Sequence, residues 1–185
     1  TAAPPQTTSK NPASSDVLCA TNPCARPSKA SSDSEEARGT MPELILRHHR
    51  PGDIGWVIER HGTLYWQEYG WTEEFEATVA RIMADFVDNL DPSCERAWIA
   101  ELDGQRVGCV FLVRKDETTA KLRCLLVVPE ARGFGVGRKL VGECLAFARQ
   151  SGYSKVVLWT NSILDTARSM YQRAGFRLIE QEPFY

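Results

Sequence analysis

Residues 122–139, Leu-Arg-Cys-Leu-Leu-Val-Val-Pro-Glu-Ala-Arg-Gly-Phe-Gly-Val-Gly-Arg-Lys, constrain the fold more than any other stretch of this chain. An apolar run at 125–128 reads as a buried strand, and a loop with Gly133, Gly135 and Gly137 follows it. Apolar residues then recur at Leu140, Val141, Cys144, Leu145 and Ala148, the spacing of one helix face. A strand that feeds a glycine-rich turn into a helix N-terminus makes an anion site. The first helical N–H groups have no internal partner, and the dipole favours negative charge there. Glycine also lets the backbone approach a phosphate closely. Arg132, Arg138 and Lys139 add positive charge at the same place, so a phosphorylated ligand is expected.

Three phosphate sites share this outline. A P-loop ends in Gly-Lys-Ser/Thr, whereas Gly137 is followed by Arg138, Lys139 and Leu140, with no hydroxyl for a magnesium ion. A dinucleotide fold asks for Gly-x-Gly-x-x-Gly and an acidic residue about 20 positions on. Here the spacing is Gly-x-Gly-x-Gly, and residues 151–156 hold no acid. The third is Arg-x-x-Gly-x-Gly, met by Arg132, Gly135 and Gly137 between a strand and a helix.

A second motif follows. Residues 155–160 read as another buried strand, and Ala167, Met170, Tyr171 and Ala174 then recur at helical spacing before Gly175-Phe176. Gly175 suits a left-handed helix cap. The Arg-x-x-Gly-x-Gly loop resembles the pyrophosphate loop of the GCN5-related N-acetyltransferases, the GNAT family. The segment from Ala167 to Phe176 resembles that family's Ala-x-x-x-Tyr-x-x-x-Gly-Phe stretch. The resemblance covers roughly residues 44–182, and within the family it is nearest to bacterial acetyltransferase domains often fused to a winged helix regulator domain. No helix-turn-helix pattern is seen in residues 1–40, so no DNA binding is carried over.

The chain has 185 residues and a formal net charge of −2, room for one domain of ordinary size plus a tail. Near-neutral charge gives no support for nucleic-acid binding, and no run of 18 apolar residues predicts a membrane span. Residues 1–40 are rich in Pro, Ser, Thr and Ala and hold no aromatic residue, so a disordered tail is expected, with the domain at 41–185. No signal-peptide core is visible, and a cytoplasmic location is expected. The six cysteines lack Cys-x-x-Cys spacing. His48 and His49 fall on opposite faces of a strand, so no metal site is expected.

The rest reads as an α+β, or mixed α/β, chain. A strand is expected at 44–48 and a helix at 54–61, capped by Asp53. An aromatic loop is expected at 62–72, then a second helix to about Leu90 that Asp91-Pro92 ends. Strands at 96–101 and 107–113 meet through Asp103-Gly104, a hairpin signal. The order β-α-α-β-β-β-α-β-α-β, a central mixed sheet flanked by helices, is also the one the resemblance implies. The family's sheet continues with a further strand after a segment like residues 177–182, whereas this sequence stops at Tyr185. A final strand is therefore expected to be missing, either because the chain is a fragment or because a partner such as a second copy completes the edge.

The resemblance implies a transferase that uses acetyl-CoA, with no metal, and a small-molecule or peptide amine as acceptor. The turn of Gly133, Phe134, Gly135, Val136, Gly137, Arg138 and Lys139, with Arg132, would hold the pyrophosphate. The main chain of Leu126, Val127 and Val128 would hold the pantetheine arm. Tyr171 matches the family's tyrosine acid; a core aromatic is the competing reading. The slot of the family's pantetheine-binding Asn holds Leu164, and Asn161 is either its substitute or a loop cap. Trp159 stands where many members carry a glutamate base, which leaves Glu101, Glu68 or water for that role. Tyr65, Glu68 and Tyr69 are expected at the acceptor, against the alternative of a packed aromatic cluster. A non-catalytic acetyl-CoA-binding module and a binder of another phosphate ligand remain as other functions.

Overall fold

The computed structural model describes residues 14–21 and 43–183. Its strands are β1 (Ser14–Thr21), β2 (Leu44–His48), β3 (Arg96–Leu102), β4 (Gln105–Arg114), β5 (Thr119–Val127), β6 (Lys155–Asn161) and β7 (Arg177–Pro183). The helices are α1 (Asp53–Tyr69), α2 (Glu73–Asn89), α3 (Val136–Gln150) and α4 (Asp165–Arg173). The strands form one mixed sheet in the order β2-β3-β4-β5-β6-β1-β7. The α+β class and the order of elements from β2 onward are those expected.

Helices cover both faces of the sheet. Ala97 lies opposite Phe111 and Trp98 opposite Val110 in the β3–β4 pair, so Phe111 and Trp98 point to opposite faces. Phe86 of α2 meets Phe111 edge-on at 5.0 Å, and Phe147 of α3 meets Trp98 at 5.6 Å. Thus α1 and α2, which pack on each other, cover one face, and α3 covers the other. The core between them includes the fully buried Val57, Met83, Val110, Leu112, Leu140 and Cys144. Each large apolar side chain buried in this way contributes about 1.5–3 kcal/mol. Asp103 (φ 49°) and Gly104 (φ 77°) are both left-handed, as a two-residue hairpin turn requires.

Two elements differ from expectation. The first helix does not stop at His61; it runs to Tyr69 and is closed by Gly70 (φ 70°), whose N–H donates to the Trp66 carbonyl. Gly62, which reads as a breaker, is a point of close approach of α1 to α2. A Cβ there would come within 2.8 Å of Glu76 Oε2. The expected aromatic loop is therefore largely helix. Asp53 is the first residue of α1 rather than its cap; Gly52 takes that place.

The second difference is β1. Residues 14–21 were expected to be disordered, yet they form a strand between β6 and β7, antiparallel to both. The remainder of 1–40 lies outside the described residues, apart from these eight. No strand follows β7 among the described residues, and the strand that separates β7 from β6 comes from the other end of the described sequence. Asp16 anchors it: the residue is fully buried, with Oδ1 accepting from Gln181 Nε2 at 2.9 Å and Oδ2 2.8 Å from Arg168 Nε.

Candidate active site

The central feature is a wedge between two parallel strands. β5 and β6 are paired only from Thr119 to Lys121 against Lys155 to Val157. Beyond that point β6 remains paired to β1 along its whole length, while β5 stays with β4. The gap therefore opens between β5 and β6 alone. A bulge turns β5 aside: Cys124 and Leu125 both face Val110, and Cys124 sits at φ 51°. An extra residue bends its strand and increases local twist. The left-handed conformation of a non-glycine residue costs roughly 1–3 kcal/mol and concentrates at functional sites. The Cys109 thiol donates to the Cys124 carbonyl at 3.2 Å and steadies the bulge.

The β5 strand runs from the bulge into the glycine loop. Residues 129–131 make a short 3₁₀ turn, with Arg132 N–H donating to the Pro129 carbonyl. Gly133 (φ 87°) and Gly135 (φ 77°) are left-handed, so both positions need glycine. Helix α3 starts at Val136 with no side-chain cap, and its first internal bond is Lys139 N–H to the Gly135 carbonyl. The N–H groups of Val136, Gly137 and Arg138 precede that bond and meet the helix dipole, an arrangement suited to phosphate. Gly137 abuts α4, where a Cβ would stand 2.9 Å from Met170 Sδ.

The basic side chains divide. Arg138 folds back toward Gly135, its Nη2 3.4 Å from where a Cβ would stand. Arg132 Nε donates to the Val127 carbonyl at 3.3 Å and its Nη2 to Glu68 Oε1 at 2.6 Å. The Lys139 ammonium donates to the Leu44 carbonyl at 3.0 Å, which turns it toward β2. The Val128 N–H is taken by the Val107 carbonyl, so Val128 has no amide to offer a ligand. Leu126 and Val127 pair with Cys109 and Gly108, and this end of β5 has no strand partner on the β6 side among the described residues.

Tyr171 of α4 is buried, packed edge-on against Phe176 at 5.6 Å. Burial, then the nearby Tyr65, Cys144 and Cys124, holds its phenol protonated well above the ordinary range. Those neighbours place it between α1, α3 and the β5 bulge. Asn161 is buried at the end of β6, where Oδ1 accepts from the Ile163 N–H at 3.1 Å, a loop-capping bond. Glu101 accepts from Arg47 Nε at 2.7 Å, and Arg47 also pairs with the buried Asp53, so Glu101 belongs to an ion network. Tyr65 packs on Trp71 at 5.0 Å and Phe75 at 4.6 Å, with Tyr69 and Trp71 on the rim. The aromatic residues are thus a cluster that also walls the α1 side of the wedge.

Sequence reasoning missed the bulge and the wedge's inner face. Nothing in residues 122–127 marks Cys124 as left-handed. The side chain of Lys121 lies over the exposed Trp159 ring at 3.9 Å, across the last paired rungs of β5 and β6. The alternation of Lys121 and Arg123 was the available signal for that face.

A mixed sheet opened between two parallel strands, with a glycine loop and an uncapped helix at its head, makes a cleft with an anion site at one end. The chain belongs to the acetyltransferase (GNAT) family, whose model matches residues 58–176. It is 34% identical over 121 residues to human N-acetyltransferase 8B, covering 62% of this chain and 53% of that protein. It is 34% identical over 97 residues to the zebrafish (Danio rerio) N-acetylaspartate synthetase, 52% of this chain and 34% of that one. The chain thus spans about half the length of the first of these curated relatives. Among solved structures, a GNAT acetyltransferase of Staphylococcus aureus Mu50 superposes with a TM-score of 0.64 at 18% identity, covering 75% of this chain and 87% of that one. A GNAT acetyltransferase of Elizabethkingia anophelis with acetyl-CoA bound superposes with a TM-score of 0.54 at 18% identity, over 74% and 78%.

Proposed function

We propose that the chain is an N-acetyltransferase that moves an acetyl group from acetyl-CoA to a primary amine within a ternary complex. The observation that carries this reading is the continuity of the wedge with the uncapped N-terminus of α3: one strand, β5, leads from the bulge to the glycine loop. A thioester with a pyrophosphate at the far end of its arm fits that line. The N–H groups of Val136, Gly137 and Arg138 bind the pyrophosphate, and the β6-facing main chain of Val127 orients the arm. A main-chain N–H at the bulge polarises the acetyl carbonyl.

The amine adds to that carbonyl directly; its C–N bond forms and the C–S bond breaks. Tyr171 donates its phenolic proton to the departing thiolate, and burial keeps that proton on the phenol until the thiolate forms. With Glu101 held by Arg47 and Trp159 in the slot of the family's base, water takes the proton from the amine. Tyr65, Glu68 and Tyr69 line the acceptor side.

Thiol release from acetyl-CoA against a panel of amines, amino acids, polyamines and short peptides tests this. Amine-dependent release supports the enzyme. Saturable acetyl-CoA binding with no release from any amine overturns it in favour of a binding module.

A further inference from the structure

The face of β5 and β6 that α1 and α2 leave uncovered is chemically uneven. Arg123 lies opposite Phe111 in the β4–β5 pair, so it shares the α1/α2 face, and Lys121 two residues earlier points the same way. Lys121 lies opposite Val157 in β6, and Trp159 two residues on shares that face. Lys121, Arg123 and Trp159 therefore surround the vertex of the wedge. The Lys121 ammonium stands 3.9 Å from the centroid of the Trp159 ring, and that ring is 61% exposed.

What this cluster lacks is an anion. Elsewhere Arg47, Arg106, Arg114 and Arg168 are each ion-paired to an aspartate. Lys121 and Arg123 have no ion pair among the described residues. Lys121 is half-buried, and the charges acting on it, from Arg123 and Lys115, both repel. Burial and that repulsion bring its pKa down to about 8. Two like charges gathered beside an exposed aromatic ring at the vertex of the wedge are stabilised by an incoming anion.

We propose that Lys121, Arg123 and Trp159 form a subsite for a carboxylate carried by the amine acceptor. The proposal rests on the acetyltransferase reading and narrows its acceptor class. Arg123 immediately precedes the bulge residue Cys124, and Lys121 is three residues from it, so the subsite begins about 3–10 Å along the strand from the bulge. An amine whose carboxylate is only a few bonds from its nitrogen spans that distance. The Arg123 guanidinium donates two parallel hydrogen bonds to the carboxylate, Lys121 adds a second charge, and Trp159 covers the carbon skeleton. Amino acids fit this description; polyamines do not.

The test uses matched acceptors: an amino acid, its amide, and the amine left when its carboxyl is removed. Thiol release gives kcat/KM for each. The unaltered chain is expected to favour the acid by about tenfold or more. Arg123→Gln and Lys121→Gln are expected to lower kcat/KM for the acid at least about tenfold more than for the amide, through KM, with acetyl-CoA affinity by calorimetry retained. Equal use of acid and amide by the unaltered chain overturns the subsite. So does a preference for the acid that survives both substitutions. Absence of turnover with every amine sinks the enzymatic reading instead. In that case tryptophan fluorescence decides the subsite: saturable quenching by the amino acid, lost in Trp159→Phe and Arg123→Gln, supports it, and no quenching overturns it.

Discussion

The guanidinium of Arg132 and the carboxylate of Glu68 lie 2.6 Å apart, which ties the start of the glycine loop to the last turn of α1. Any phosphate that draws on Arg132 competes with that carboxylate. Both side chains are partly exposed, 49% and 25%, so the pair is worth at most about 1 kcal/mol. Glu68→Gln should therefore tighten acetyl-CoA binding by up to about fivefold, and the gain should shrink in high salt. Calorimetry at two ionic strengths checks it. Weaker binding in the variant would mean that Glu68 holds the loop in shape.

Tyr171→Phe separates catalysis from packing. If the phenol protonates the leaving thiolate, kcat at saturating acetyl-CoA should fall by about 100-fold while the melting temperature barely moves. Unchanged turnover would leave Tyr171 as a core aromatic packed on Phe176. Because its pKa is held above the ordinary range, loss of its proton should not limit the rate at any pH near neutrality.

His61 predicts a pH dependence of stability. The ring is buried, with Nδ1 2.8 Å from the Val57 carbonyl. Burial lowers its pKa from 6.5 to about 4. The unfolded chain thus binds the proton first as pH falls. The stability from a neutral His61 is present above pH 6.5 and is lost between about 6.5 and 4, on the order of 3 kcal/mol. Urea unfolding at pH 7 and pH 4.5 should show the loss, and His61→Phe should flatten it.

Asp16 predicts how firmly β1 is seated. Removing its carboxylate leaves Arg168, 29% exposed, facing a buried void on the strand. Asp16→Ala should cost about 2–4 kcal/mol in chemical denaturation, less than a fully buried pair because Arg168 reaches water. Arg168→Ala should cost at least as much, since it strands Asp16 without its cation. Stability unmoved by either substitution would show that β1 does not sit between β6 and β7.

Much of this was legible in the sequence because two motifs carry their own geometry. Gly133 and Gly135 imply left-handed turns before a helix, and 136–148 alternates apolar residues at helical spacing. Tyr171 and Gly175 likewise fix α4 and its end. The reach of α1 was not legible because Gly62 serves helix packing, where an isolated glycine reads as a stop. The bulge at Cys124 was hidden because its conformation is imposed by tertiary strain, with no local residue that asks for it. β1 was hidden for another reason: five residues, Asp-Val-Leu-Cys-Ala, are too few to stand out from a Pro- and Ser-rich stretch, and their partners lie about 140 or more positions away.

That separation governs the order of assembly. Asp16 and Gln181 are 165 positions apart, so β1 can take its place only after β6, α4 and β7, which all follow it in the chain, have been made. Closing such long loops is slow, and β6 and β7 present open edges until the strand arrives. Seating β1 covers the facing edges of β6 and β7 together and leaves β7 as the outer strand of the sheet. A chain without β1 in place would offer those edges to its neighbours.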